Sequence, residues 1–227
     1  MARIIRSVRV HLSSPFGAAA SRRAGRATGA RPLERSDRLG GTEGNAILTS
    51  ATAVVLSGLL LAEGLTIVLI GGLLTAHMFI GMVLIGPVVL KLGSTGYRAV
   101  RYYTRSRAYR ASGPPALPLR LLAPVLVAST LVVLVTGVLL LAAGHKSDTL
   151  LLVHKASFIV FGVVAAVHVL AYVPTVVRSV RADWGAARRA EVPGAGLRAL
   201  GLAAALGGGV ALALALLPTM TAWHGGH

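Results

Sequence analysis

The sequence predicts an all-α integral membrane protein: a helical bundle of five transmembrane helices, four of which form the core. Three observations predict it. Of 227 residues, 55% are hydrophobic and 13% charged, against about 25% charged in ordinary soluble domains. The mean hydropathy is +0.74. Five apolar runs, each near the ~20 residues that cross a bilayer core of ~30 Å, alternate with blocks of basic residues.

The net charge is +16, and all of the 23 lysines and arginines except Lys146 and Lys155 fall in three blocks. Charge clustered between apolar runs reads as membrane topology rather than as nucleic-acid affinity, so no nucleic-acid partner is expected. There is no cysteine. Disulfides, thiolate metal sites, iron–sulfur clusters and covalent c-type haem attachment are therefore excluded.

Residues 1–44 carry nine arginines against Glu34, Asp37 and Glu43, and are rich in Gly, Ala and Ser. They read as a disordered, basic, cytoplasmic N-terminus. Ser21-Arg22-Arg23 has the look of a twin-arginine signal, but no apolar run follows before Ala46, and no cleavable secretory signal is evident. Residues 45–173 are expected to form the four-helix membrane core. Its first span begins near Ala46 and ends about Leu61–Leu65, with Glu63 at or just past its end. An apolar connector, GLTIVLIGG, follows, and Gly71-Gly72 is its best breaker. The second span covers Leu73–Leu90 and ends at Lys91.

The next basic block, 91–120, holds seven lysines and arginines and no acid. Tyr97, Tyr102 and Tyr103 suit an interfacial aromatic belt, and Pro114, Pro115 and Pro118 rule out a continuous helix. The third span is Leu121–Leu141, and the loop GHKSDT leads to the fourth, Leu150–Val173. Residues 174–198 form a basic cytoplasmic loop. Residues 199–227 supply the fifth span, Ala199–Leu217, and a short outer tail without lysine or arginine. Positive-inside counting places the N-terminus in the cytoplasm and the C-terminus outside, as expected of a multi-pass protein of the cell membrane.

The fourth span carries His154 and His168. Fourteen residues is four helical turns less ~40°, so both imidazoles point to nearly one side, about 21 Å apart along the axis. The second span runs in the same direction and has His77 at the depth of His154. Fourteen residues beyond His77 stands Lys91, in register with His168. Ionisable side chains in a span are costly and mark function by default. Two imidazoles at one depth on neighbouring helices can ligate one metal from both sides. They can equally hydrogen-bond neighbouring helices.

Paired histidines at this spacing on two helices of a small bundle, His77, His154 and His168 with Gly81 and Gly162 beside them, resemble the cytochrome b561 and ferric-reductase-type membrane cytochromes b. The resemblance covers residues 46–173 and implies a cytochrome b-like four-helix core. It implies haem b as cofactor and electron transport, with a redox partner protein or quinone to exchange electrons. His77 and His154 would be the metal ligands of one haem. His168, with or without Lys91, would serve a second, and Lys91 is the departure from the family pattern. The run KLGSTGYRAVRYYT is similar to a segment of small actinobacterial membrane proteins and adds no function.

Gly81 and Gly162 would let a macrocycle approach the backbone, or simply serve helix packing. Phe161 and Leu84 would fill the space between two levels. Met78 and Met82 read as packing residues. His145, His224 and His227 lie outside the spans and make a poor metal site. No P-loop, dinucleotide-binding glycine motif, HExxH or nucleophile elbow is present. The nearly all-aliphatic spans give a transporter little to work with. A non-redox membrane scaffold, whose histidines only pack, is the alternative to a cytochrome subunit. Membrane lipid is a partner on either reading.

Overall fold

A computed structural model describes residues 40–104, 106–111, 117–183 and 192–223. The N-terminal tail expected to be disordered lies outside the described residues, apart from 40–44. So do His224, His227 and residues 184–191 of the 174–198 block. Among the described residues there are six helices and no strand: α1 Gly41–Val68, α2 Ile70–Tyr103, α3 Arg107–Ala111, α4 Leu117–Ala143, α5 Asp148–Asp183 and α6 Ala195–Ala222. All except the five-residue α3 contain a stretch long and apolar enough to cross a membrane.

The α1–α2 connection departs from the expected one. α1 does not stop at 61–65 but continues to Val68, and Glu63 is a helical residue, not part of a connector. A lone Gly64 costs a helix only about 1 kcal/mol, which the surrounding apolar run tolerates. The chain breaks at Leu69 (φ −110°, ψ 29°) and again at Leu73 (φ −119°, ψ 21°), on either side of Gly71-Gly72. α2 then runs 34 residues, about 51 Å at 1.5 Å per residue. It carries Lys91 well inside the helix rather than at its end. Tyr97, Tyr102 and Tyr103 ride on the same helix.

Polar side chains in the spans bond to their own helix. Thr52 donates to the Leu48 carbonyl at 2.7 Å, Ser129 to Val125 at 2.8 Å and Thr130 to Leu126 at 2.6 Å. This is how hydroxyls are accommodated where water is absent. Leu61, Leu131, Ile159 and Leu170 are exposed, as surfaces facing lipid tails should be.

α2 is the central helix. α1 packs along one side of it and α6 along another, while α4 and α5 pair with each other. The α2–α6 crossing is made by glycines. A Cβ on Gly86 would run into the Ala205 carbonyl, and one on Gly209 into the Val83 carbonyl. Small residues let membrane helices approach backbone to backbone. Met82, Val83, Leu141, Ala213 and Met220 form the buried cluster around this crossing. Trp223, just beyond α6, donates its indole N–H to the Leu140 carbonyl of α4 at 2.9 Å. The α1–α2 and α4–α5 pairs meet along few residues. Between them lies a cavity of about 1650 Å³.

Candidate functional site

Both histidines expected at one depth reach this cavity, and their ring centres lie 6.3 Å apart with planes at 87°. His77 comes from α2, seven residues past its start at Ile70, and His154 from the second turn of α5. The short connections 69–73 and 144–147 place these two helix starts at the same end of the bundle.

Each ring is fastened through Nδ1 to the neighbouring helix of its own pair. His77 Nδ1 lies 3.0 Å from Glu63 Oε1 and 3.2 Å from Thr66 Oγ1, both on α1. The Thr66 hydroxyl has its own proton committed to its helix, so it accepts from Nδ1–H, and an ionised Glu63 accepts from the same group. Thr66 in turn donates to the Glu63 carbonyl at 2.6 Å. His154 Nδ1 lies 3.1 Å from Thr136 Oγ1 on α4, and the ring also bonds the Val133 backbone. The Thr136 hydroxyl is already donated to the Val132 carbonyl at 2.7 Å, so here too Nδ1–H is the donor. With the proton on Nδ1, the lone pair of each imidazole is on Nε2.

One glycine makes room: a Cβ on Gly137 would sit 3.2 Å from His154 Cε1, whereas one on Gly81 would meet Glu63 Oε1 at 3.5 Å, an ordinary contact. Gly81 lines the cavity, so it stands beside the carboxylate as well as the open space. Gly162 is not among the cavity-lining residues, and a Cβ there would have nothing within 4 Å. The glycine against His154 is Gly137 of α4.

No match to this chain is found among family models, curated proteins or solved structures. The site therefore has to be understood from its own atoms.

His168 and Lys91 also reach the cavity, one helix stretch farther from the α1–α2 turn, with Phe161 and Leu84 on the wall between the levels. Lys91 Nζ donates to the Thr49 carbonyl of α1 at 2.8 Å. Met78 and Met82 line the cavity but also pack into the α2–α6 cluster. His145 is exposed in the 144–147 connection, with Nδ1 3.1 Å from the Lys146 carbonyl. Among the described residues no three or more His, Cys, Asp or Glu converge on a point that could hold a metal ion by themselves. Thr66, Thr136 and Gly137 are site residues that the sequence pattern does not single out.

Proposed function

We propose that this protein is a b-type cytochrome subunit of the cell membrane, carrying electrons across or within the membrane by a haem b held between His77 and His154. The observation that carries this is the spacing and fastening of the two rings. Imidazole nitrogens sit about 2.0–2.1 Å from a bound metal, and the ring centre about 1.1 Å farther, so two rings on opposite sides of one metal have centres roughly 6.3 Å apart. The separation here is 6.3 Å. Ligating histidines characteristically give their other N–H to a carboxylate, carbonyl or similar acceptor, as both rings do. A haem brings ligands of its own, so two side chains would suffice where no larger cluster is found among the described residues.

When bound, haem takes up and releases single electrons, with a potential set by its ligands, their hydrogen bonds and burial. The chain's own contribution is threefold. Glu63, Thr66 and Thr136 fix ring orientation and tautomer. Gly137 leaves room for the His154 ring. The aliphatic walls keep water away.

At the second level Lys91 Nζ is taken up by the Thr49 carbonyl at 2.8 Å, and in its ordinary ammonium form it has no lone pair to offer iron. We therefore assign one haem, and neither Lys91 nor His168 is a ligand in this proposal. The basic blocks support an orientation with the N-terminus in the cytoplasm and the C-terminus outside. A redox protein or quinone must supply and remove the electrons.

A non-redox scaffold is the second reading, and it has its own observation. The same Nδ1 bonds fasten α1 to α2 and α4 to α5, which helix packing alone would justify. A dithionite-reduced minus oxidised spectrum of the detergent-purified protein, with haem quantified per chain, separates the two. The expected result is sharp b-type bands at one haem per chain, lost in His77→Ala and in His154→Ala. A colourless protein from haem-replete cells would leave the scaffold.

A further inference from the structure

The cavity has a second polar level, which the proposed haem does not use. Lys91, Thr95, Arg98 and Tyr102 of α2 all line it. They stand at i, i+4, i+7 and i+11, one stripe of the helix. The Lys91 ammonium turns into the bundle to reach the Thr49 carbonyl, and that bond uses one of its three donors. Neither of the close contacts His77–Glu63 and Lys146–Asp148 includes Lys91. Arg120, near the start of α4, lines the same end of the cavity. His168 of α5 lies within range of the Lys91 charge. Glu63 is the single acid on the cavity wall among the described residues. It belongs to the His77 level, about 21 Å away along α2.

A cation facing a membrane cavity is costly unless an anion meets it. Above Lys91 the wall is apolar, with Leu84, Val88, Phe161 and Ala165. The cavity, about 1650 Å³, is larger than the roughly 300–1,000 Å³ typical of small-ligand pockets. We propose that its basic end binds an anionic phospholipid, with the phosphate among Lys91, Arg98 and Arg120 and the acyl chains along the apolar wall. Basic pockets between membrane helices recognise such head groups. A soluble anion would meet the cations but leave the apolar length uncovered, whereas a lipid satisfies both. Lys91 and Arg98 are about 10 Å apart along the axis, so the pair spans the boundary between hydrocarbon and head groups. Glu43 shares a small pocket with Arg98 at the mouth, so the deeper Lys91 carries the larger effect. The site is independent of the haem.

The test uses the full chain purified in mild detergent, with retained phospholipid extracted and quantified by mass spectrometry. About one anionic phospholipid per chain is expected to survive detergent exchange. Lys91→Gln lowers retention about fivefold, from the roughly 1 kcal/mol that each cation contributes near a membrane surface. Lys91→Arg keeps it, and so does Lys155→Gln at the opposite end. Glutamine can still donate to the Thr49 carbonyl, so the α1–α2 contact survives. Should that variant not fold, Arg98→Gln, at an exposed position, gives the same readout. In parallel, thermal stability should rise with phosphatidylglycerol vesicles and not with phosphatidylcholine vesicles or inorganic phosphate. Equal retention in both the Lys91→Gln and Arg98→Gln proteins overturns the proposal. So does equal stabilisation by inorganic phosphate, or by neutral lipid.

Discussion

Glu63 is the residue whose surroundings say most about the site. Its carboxylate is mostly buried in the bundle, 12% exposed, and 3.0 Å from His77 Nδ1. His154 has a hydroxyl in the equivalent place. The two rings are thus fastened unequally, one by an acid and one by neutral acceptors. Losing such a partner typically costs 10–100-fold in metal affinity, so Glu63→Leu should weaken haem retention by about that factor, measured by transfer to apomyoglobin. Unchanged transfer rates would remove Glu63 from the site. The glycines give a second expectation. Gly137→Ala places a methyl 3.2 Å from His154 Cε1 and should displace the ring, reducing haem per chain. Gly162→Ala meets open space and should not; the reverse pattern in the haem assay would argue against this geometry. The histidines were legible in the sequence because a costly residue type recurs at matched depths. Thr66, Thr136 and Gly137 were not. A threonine in an apolar helix normally bonds its own preceding turn, and both threonines do so here. Their second role depends on which helix lies beside them, and periodicity within one helix does not carry that information.

Among the elements, α6 has a role that its sequence only partly declares. It lies against α2 outside the cavity, held where Gly86 and Gly209 bring the backbones together. A methyl group on Gly86 has no flexible side chain to push aside, only the Ala205 carbonyl and backbone. Overpacking of this kind costs typically about 1–3 kcal/mol. Gly86→Ala should lose at least that much in denaturant titration in micelles. Gly58→Ala, where nothing lies within 4 Å of the new Cβ, should lose nothing and gain up to about 1 kcal/mol of helix propensity. Equal effects at the two positions would mean that the crossing does not hold α6. The existence and order of all five spans were readable from hydropathy, because each apolar run exceeds the bilayer requirement. Their ends were not. α1 passes through Gly64, and α2 and α5 continue beyond the apolar runs into basic residues. Helix continuation into polar territory is decided by local propensity and breakers rather than by hydropathy.

For the molecule as a whole, orientation decides what each end of the cavity faces. The His77–His154 level lies toward the 69–73 and 144–147 connections, and the Lys91 level toward the basic blocks. All lysines and arginines except Lys146 and Lys155 belong to those blocks. An excess of positive charge stays on the cytoplasmic side, which would set the haem level near the outer face and the Lys91 level near the inner leaflet, where anionic lipid is concentrated. The chain has no cysteine, so single cysteines can report this directly. Ser147 lies in the connection between α4 and α5, and Ser106 between α2 and α3. In intact cells, a membrane-impermeant maleimide should label Ser147→Cys. Ser106→Cys should react only after permeabilisation. The opposite pattern would turn the molecule over, placing the Lys91 level at the outer leaflet and the proposed haem beside cytoplasmic electron donors.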